Sequence, residues 1–278
     1  MNKMKKIMEA AYTLKFAVPA INFESFEMLK GIALGSYQSN APIIVQTTEP
    51  GIEALGLNNI VYMVNSYEDY YQIPLALHLD HAQSITTVKR CIDAGYRSVM
   101  IDASELSLAD NIVTTKEVTE YAHSKEAFVE SEIGIVGVQG MNDKKTDIEA
   151  ALEFVEKTSV DSLAVSVGNT HGGRAKTRRI DFGLLSDLND IINIPLVLHG
   201  SSGIVDTDLS LVYKYGVCKV NIETELRLIY RTALEKYLAQ NPDDIKVRNI
   251  NRYLEMCISN YVNNKCCLLN NINRNQIC

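Results

Sequence analysis

Eight short apolar runs alternate with stretches of helical spacing along most of the chain, and this alternation restricts the fold more than any other feature. The runs cover residues 16–22, 42–48, 74–80, 98–102, 127–132, 162–167, 195–199 and 218–222. They are rich in Val, Ile and Leu and mostly lack polar alternation, as expected for parallel strands covered on both faces. Between them lie amphipathic segments, including 84–94, 108–124 and 147–158, with Thr146-Asp147-Ile148-Glu149 and Asp206-Thr207-Asp208 as helix starts. Parallel strands joined by crossover helices form an open sheet or a closed barrel. Eight βα units in 278 residues, with no Pro/Gly/Ser-rich linker, favour the barrel. The fold class is therefore α/β, a (β/α)8 TIM barrel over about 15–240, in one domain of 1–278. A C-terminal helical extension occupies about 241–278, with a helix at 249–263 and an asparagine-rich tail at 260–278 whose end is expected to fray.

Composition narrows the function classes. A hydrophobic content of 46% is ample for a large core, and a net charge of −7 argues against the dense basic face that nucleic acid or an anionic membrane requires. A small anionic substrate remains compatible, since a local group of backbone amides and basic side chains captures phosphate on an acidic protein. The opening Met1-Asn-Lys-Met-Lys-Lys6 is basic, but Glu9 and Lys15 interrupt the apolar residues after it, so no export leader is expected. No stretch approaches 18 uninterrupted apolar residues. Six cysteines without C-x-x-C spacing read as reduced thiols of a cytoplasmic protein.

Residues capable of chemistry gather where these strands end. The third run finishes in Asp80-His81, the fourth in Asp102, the fifth in Glu132, and the eighth carries Asn221. The sixth leads into Gly168-Asn-Thr-His171-Gly-Gly173, and the seventh into His199-Gly200-Ser-Ser-Gly203. In a barrel these ends converge on one face, where barrel enzymes place their active sites. Three imidazoles with one open position is the ligand arrangement of a catalytic zinc. Taken singly, each histidine is more simply a hydrogen-bonded packing residue; three at matching strand ends favour the metal. His78, inside the third strand, reads as support behind the site or as packing, and His123, at the end of a polar helix, as surface. The glycines beside His171 and His199 bring backbone amides close to an oxyanion.

Several segments then resemble the class II, zinc-dependent ketose-bisphosphate aldolases, most nearly the tagatose-bisphosphate type. They are Ala17-Val-Pro-Ala-Ile-Asn22, Leu77-His-Leu-Asp-His81, Ser98-Val-Met-Ile-Asp-Ala-Ser104, Val129-Glu-Ser-Glu-Ile-Gly134, Gly168-Asn-Thr-His-Gly172, Pro195-Leu-Val-Leu-His-Gly-Ser-Ser-Gly203 and Gly216-Val-Cys-Lys-Val-Asn-Ile-Glu-Thr-Glu225. They stand in family order over about 15–250.

The resemblance implies zinc on His81, His171 and His199, with Asp102 and Glu132 at positions that hold the metal or a second divalent or monovalent cation. It implies catalytic roles for Asp80, which exchanges a proton with the C4 oxygen, and for Asn221. Substrate-binding positions are Asn22, Thr48, Gly172, Lys176, Gly200, Ser201, Ser202, Asn221, Ile222, Glu223 and Thr224. Arg248 matches an arginine that reaches a neighbouring subunit's substrate phosphate, so a homodimer or homotetramer is expected, with a non-catalytic aldolase subunit as a further partner class. The implied reaction is reversible cleavage of tagatose or fructose 1,6-bisphosphate.

The stretch after the fifth strand departs from the family pattern. Val138 stands in place of a glycine, Gly140 where an acid is expected, and the loop is shorter, with Asp143 as the substitute acid. Glu223 and Thr48 are smaller differences. This departure keeps two alternatives open: a different aldol-type or isomerising reaction on a sugar phosphate, and a non-catalytic partner subunit. An amidohydrolase-type barrel is remote, because the first strand ends in Asn22 without a His-x-His.

Overall fold

A computed structural model describes residues 2–138, 143–173 and 175–270. Eight parallel strands close on themselves in chain order, each pairing with its neighbours and β1 closing against β8. A helix, α1 (Lys3–Leu14), precedes β1 (Val18–Asn22), which is followed by α2 (Phe26–Ser39) and β2 (Ile43–Thr47). Two helices, α3 (Glu49–Leu55) and α4 (Leu57–Tyr71), lead to β3 (Leu75–Ala82), followed by α5 (Ile85–Ala94) and β4 (Ser98–Ile101). Next come α6 (Leu108–Ser124), β5 (Phe128–Ile133), α7 (Ile148–Thr158), β6 (Ser162–Val165), α8 (Phe182–Ile191) and β7 (Leu196–Leu198). The short α9 (Asp206–Leu209) precedes β8 (Val217–Ile222), and α10 (Thr224–Gln240) and α11 (Val247–Leu269) complete the order. All eight expected strands are present, and no helix among the described residues is long and apolar enough to cross a membrane.

Alternate strand positions fall into two apolar clusters. Ile21, Ile43, Val45, Leu75, Leu79, Val99, Leu163 and Leu196 pack with the surrounding helices. Val18, Ala20, Ile44, Ala76, Phe128, Ala164 and Val197 instead form a smaller cluster with Met4, Ile7, Met8 and Ala11 of α1. Strand side chains point to opposite faces in turn, so the second set lies inside the barrel, where α1 stoppers its amino end. The α1 segment carries no expectation as a helix, because its apolar stripe is interleaved with Lys3, Lys5, Lys6 and Glu9. Asn2 caps it by accepting from the Met4 and Lys5 amides.

The C-terminal helix is longer than the expected 249–263. It runs to Leu269, burying Leu254, Ile258, Val262, Cys266 and Leu269, and the Leu269 carbonyl accepts from the Ala17 amide. A stripe with this spacing outweighs the poor helix propensity of the intervening asparagines, so the helix continues through the first part of the asparagine-rich segment. Residues 271–278 of the expected extension lie outside the described residues.

Helix α11 lies against α2 so closely that a Cβ on Gly35 would stand 2.6 Å from Val262 Cβ and 2.8 Å from the Ser259 carbonyl. Gly35→Ala gains roughly 1 kcal/mol of helix propensity. Overpacking costs about 1–3 kcal/mol, so the variant is expected to melt below the parent in a thermal scan. An equal or higher Tm would show that the two helices separate freely.

Candidate active site

The carboxyl ends of the strands open on a cavity of about 630 Å³. Its lining includes Asn22, Thr48, Asp80, His81, Asp102, Glu132, His171, Gly172, Gly200, Ser201, Ser202, Asn221, Glu223 and Thr224. His199 lies fully buried at its floor.

Strand β3 brings two neighbouring residues to this one cavity. On a regular strand Asp80 and His81 would face opposite sides of the sheet. Here the register against β4 slips, Leu79 pairing with Val99 but Ala82 with Ile101, so β3 carries one extra residue. His81 takes the left-handed conformation at φ 48°, an uncommon backbone for a non-glycine residue. The bulge turns its ring toward the side that Asp80 already faces. Past the end of β7, His199 follows Leu198 directly, while His171 sits in the loop after β6, its amide donating to the Gly137 carbonyl at 2.8 Å. Asn169, which sequence reading passed over, joins the two histidine segments: its amide nitrogen donates to the His199 carbonyl at 3.0 Å.

The three rings converge, with centroid separations of 5.1 Å (His81–His171), 4.6 Å (His81–His199) and 6.2 Å (His171–His199). Their ligand atoms lie within 4.8 Å of one another, and His81, Asp102 and Glu132 form a second such group. The outward nitrogens of two rings are occupied. His81 Nδ1 donates to Asp102 Oδ2 at 2.7 Å, and His199 Nε2 donates to Glu130 Oε1 at 2.9 Å. The inward atoms, His81 Nε2, His199 Nδ1 and Glu132 Oε2, are buried without a hydrogen-bond partner. Glu132 Oε2 and His199 Nδ1 approach to 3.0 Å but lack the alignment of a hydrogen bond. Buried polar atoms are rarely left unsatisfied, so three of them facing one point, each a good zinc donor, fit a divalent cation.

The local charge agrees. Burial opposes a proton on His81, but Asp80 and the hydrogen bond to Asp102 outweigh it and push the pKa up to about 10. Those carboxylates favour any cation between the rings. His171 is held down to about 3 by burial and by the neighbouring His81 and His199, so its ring is a neutral lone-pair donor. Burial alone would raise Asp80, yet His81 and Lys219 keep it below its ordinary value and ionised. Two amides grip this carboxylate: Asn221 Nδ2 donates to Oδ1 and Asn22 Nδ2 to Oδ2, each at 2.9 Å, and Gln46 Nε2 in turn donates to Asn22 Oδ1 at 2.6 Å. Gln46 is a second residue that the sequence reading did not single out.

Three expected substrate contacts stand elsewhere. Lys176 pairs with Asp206 and lies 3.6 Å from Glu225, outside the cavity lining. The Ile222 side chain belongs to the apolar core and does not line the cavity. Arg248 is exposed on α11 and also lies outside the lining. In the departing loop, Gly140 lies outside the described residues, and Asp143 is exposed, its Oδ1 accepting from the Gly137 amide at 2.9 Å. His78 is buried against Ser98 and His123 pairs with Asp161 near the surface, as their sequence contexts suggest.

A closed eight-stranded barrel with an ionised aspartate and a three-imidazole cluster that could hold a metal ion at its carboxyl end has the architecture of a barrel enzyme. The family model described as class-II fructose-bisphosphate aldolase matches residues 2–274, and the chain belongs to that family. Membership makes it an enzyme, a lyase that acts on a carbon–carbon bond. Among solved structures, the YdjI aldolase from Escherichia coli K12 is 28% identical, with a TM-score of 0.85 over 98% of each chain. A putative fructose-1,6-biphosphate aldolase from Coccidioides immitis is 23% identical with a TM-score of 0.88 over 96% of each chain. Fructose-bisphosphate aldolase from Campylobacter jejuni is 22% identical with a TM-score of 0.79, covering 96% of this chain and 93% of that one. The last two are alike in fold.

Gly200 connects the two histidine loops and adopts φ 59°; a Cβ there would stand 2.5 Å from the Thr170 carbonyl carbon and oxygen and 2.9 Å from the His171 amide nitrogen. Gly200→Ala must therefore displace His171. The expected result is a folded barrel with weakened zinc binding in a competition titration. Unchanged zinc affinity would mean that the loop yields without moving the ring.

Proposed function

We propose that this chain is a zinc-dependent aldolase that reversibly cleaves tagatose 1,6-bisphosphate or fructose 1,6-bisphosphate into dihydroxyacetone phosphate and glyceraldehyde 3-phosphate. The observation that carries the reading is an ionised, amide-gripped Asp80 with Oδ1 4.0 Å from Nε2 of His81, at a cluster of three convergent imidazoles. Asp80 accepts the proton of the C4 hydroxyl; the O–H electron pair becomes the C4 carbonyl bond as the C3–C4 pair passes to C3. His81, His171 and His199 would hold a divalent cation, which would supply positive charge against the enediolate as it develops. Asn22 and Asn221 use one lone pair on each Asp80 oxygen, leaving others for the substrate proton. Asn221 thus positions the acceptor rather than transferring the proton. Gly172, Gly200, Ser202 and the first turn of α10 at Thr224 offer backbone amides and hydroxyls to the phosphate of the dihydroxyacetone half. Arg248 serves the second phosphate from a neighbouring copy.

One observation supports a second reading, in which the same site joins or cleaves a sugar phosphate with a different aldehyde half. Asp143, the substitute acid after β5, is exposed and engaged by the Gly137 amide. Proton delivery to C3 then differs from the family pattern, and the acceptor with it.

A coupled assay with both bisphosphates tests the first reading. Cleavage is expected to vanish with chelator and to return with zinc. Asp80→Ala is expected to keep zinc and lose about 10²–10⁴-fold in kcat. Cleavage that survives chelation, or an Asp80→Ala variant as fast as the parent, refutes it; zinc uptake without cleavage of either sugar favours the second reading.

A further inference from the structure

Beneath the cavity lies a chain of buried polar groups that no substrate reaches. Lys219 of β8 and Glu130 of β5 are both 0% exposed and absent from the cavity lining. Lys219 Nζ donates to Glu130 Oε1 at 2.8 Å, and the same oxygen accepts from His199 Nε2 at 2.9 Å. On its other side Lys219 Nζ lies 3.5 Å from His78 Nε2, while His78 Nδ1 meets the Ser98 hydroxyl at 2.7 Å. A buried lysine–glutamate pair is a poor means of stabilising a barrel, because desolvating both ions costs as much as their attraction returns. An apolar pair would fill the space more cheaply, as α1 and its partners do one layer below.

We infer that Lys219 and Glu130 are positioning residues that set the tautomer of His199, holding its proton on Nε2 so that Nδ1 presents a lone pair to the cation. Glu130 supplies the acceptor for the Nε2 proton. Lys219 neutralises Glu130, so that the carboxylate receives the hydrogen bond without adding uncompensated charge under the cation site. A carboxylate behind a ligating histidine fixes ring orientation in this manner, and its loss costs about 10–100-fold in metal affinity. The inference rests on His81, His171 and His199 binding zinc.

Two double variants separate positioning from plain packing. Glu130→Leu with Lys219→Met removes charge and acceptor together. Glu130→Gln with Lys219→Met removes the charges but keeps a carbonyl oxygen for the Nε2 proton. Zinc competition against a chromophoric chelator is expected to show a roughly 10–100-fold loss in the first and near-parental affinity in the second. The visible spectrum of the cobalt(II) form should be altered only in the first. Equal affinity in the two doubles, at the parental level or below it, overturns the inference. Should the leucine variant not fold, long-range ¹H–¹⁵N spectra of the zinc-loaded wild-type protein decide the point: the His199 proton is expected on Nε2. A proton on Nδ1 overturns this inference alone, whereas a wild-type protein that takes up no zinc overturns the three-histidine reading as well.

Discussion

The site depends on one irregularity in one strand. Alternation of side chains is the basic rule of β structure, and a regular β3 would present either Asp80 or His81 to the cavity. The extra residue between Leu79 and Ala82, with His81 in the left-handed region, presents both. An ionised carboxylate and a ring of the three-imidazole cluster thereby become neighbours without a second loop to hold them. Such a backbone costs of order 1–3 kcal/mol and persists only where its surroundings over-determine it. Those surroundings are present: Asp102 holds the His81 ring from behind, the Asp102 amide donates to the Ala82 carbonyl, and Asn22 and Asn221 fix the Asp80 carboxylate from β1 and β8.

The interior of the barrel is layered in a way that derives from this need. At the amino end the interior positions are apolar and α1 covers them. One layer up, Gln46, His78, Glu130 and Lys219 are polar or charged and fully buried. Above them come Asn22, Asp80, Glu132, His199 and Asn221, which meet the cavity or its floor. Stability falls to the lowest layer and to the helix–sheet packing outside the barrel. The middle layer hydrogen-bonds the uppermost one, Gln46 to Asn22 and Glu130 to His199.

Much of this was legible in the sequence because its determinants are local. Eight runs of Val, Ile and Leu announce eight strands, and the polar residues that close them announce the end of the barrel where the cavity opens. His81, Asp102, Glu132 and His199 are visible for that reason. The residues that escaped depend on partners distant in the chain. Glu130 and Lys219 are 89 positions apart, so neither signals a buried pair. Gln46 lies inside an apolar run and is meaningful only beside Asn22, and Asn169 only beside the His199 carbonyl. Helix α1 was obscured by its lysines, though Met4, Ile7, Met8 and Ala11 keep the helical period. The end of α11 was obscured because asparagine is common in loops, while Val262, Cys266 and Leu269 continue the buried stripe.

The contrast between the rigid floor and the departing loop after β5 has a chemical consequence. Asp80, His81, Asp102 and His199 sit on strands or directly after them, tied by hydrogen bonds of 2.7–2.9 Å. The other half of an aldol reaction, proton delivery to C3, has no such foundation in the described part of that loop, where Asp143 faces solvent and its carboxylate receives the Gly137 amide. Bond cleavage requires only the first set, since the electron pair leaves for C3 once the C4 hydroxyl proton has a place to go. Turnover also requires the second. An enzyme built this way would be limited at protonation of the enediolate rather than at cleavage of the carbon–carbon bond, so a change at Asp143 would alter kcat first, whereas a change at Gly137 would also reach His171, whose amide donates to the Gly137 carbonyl.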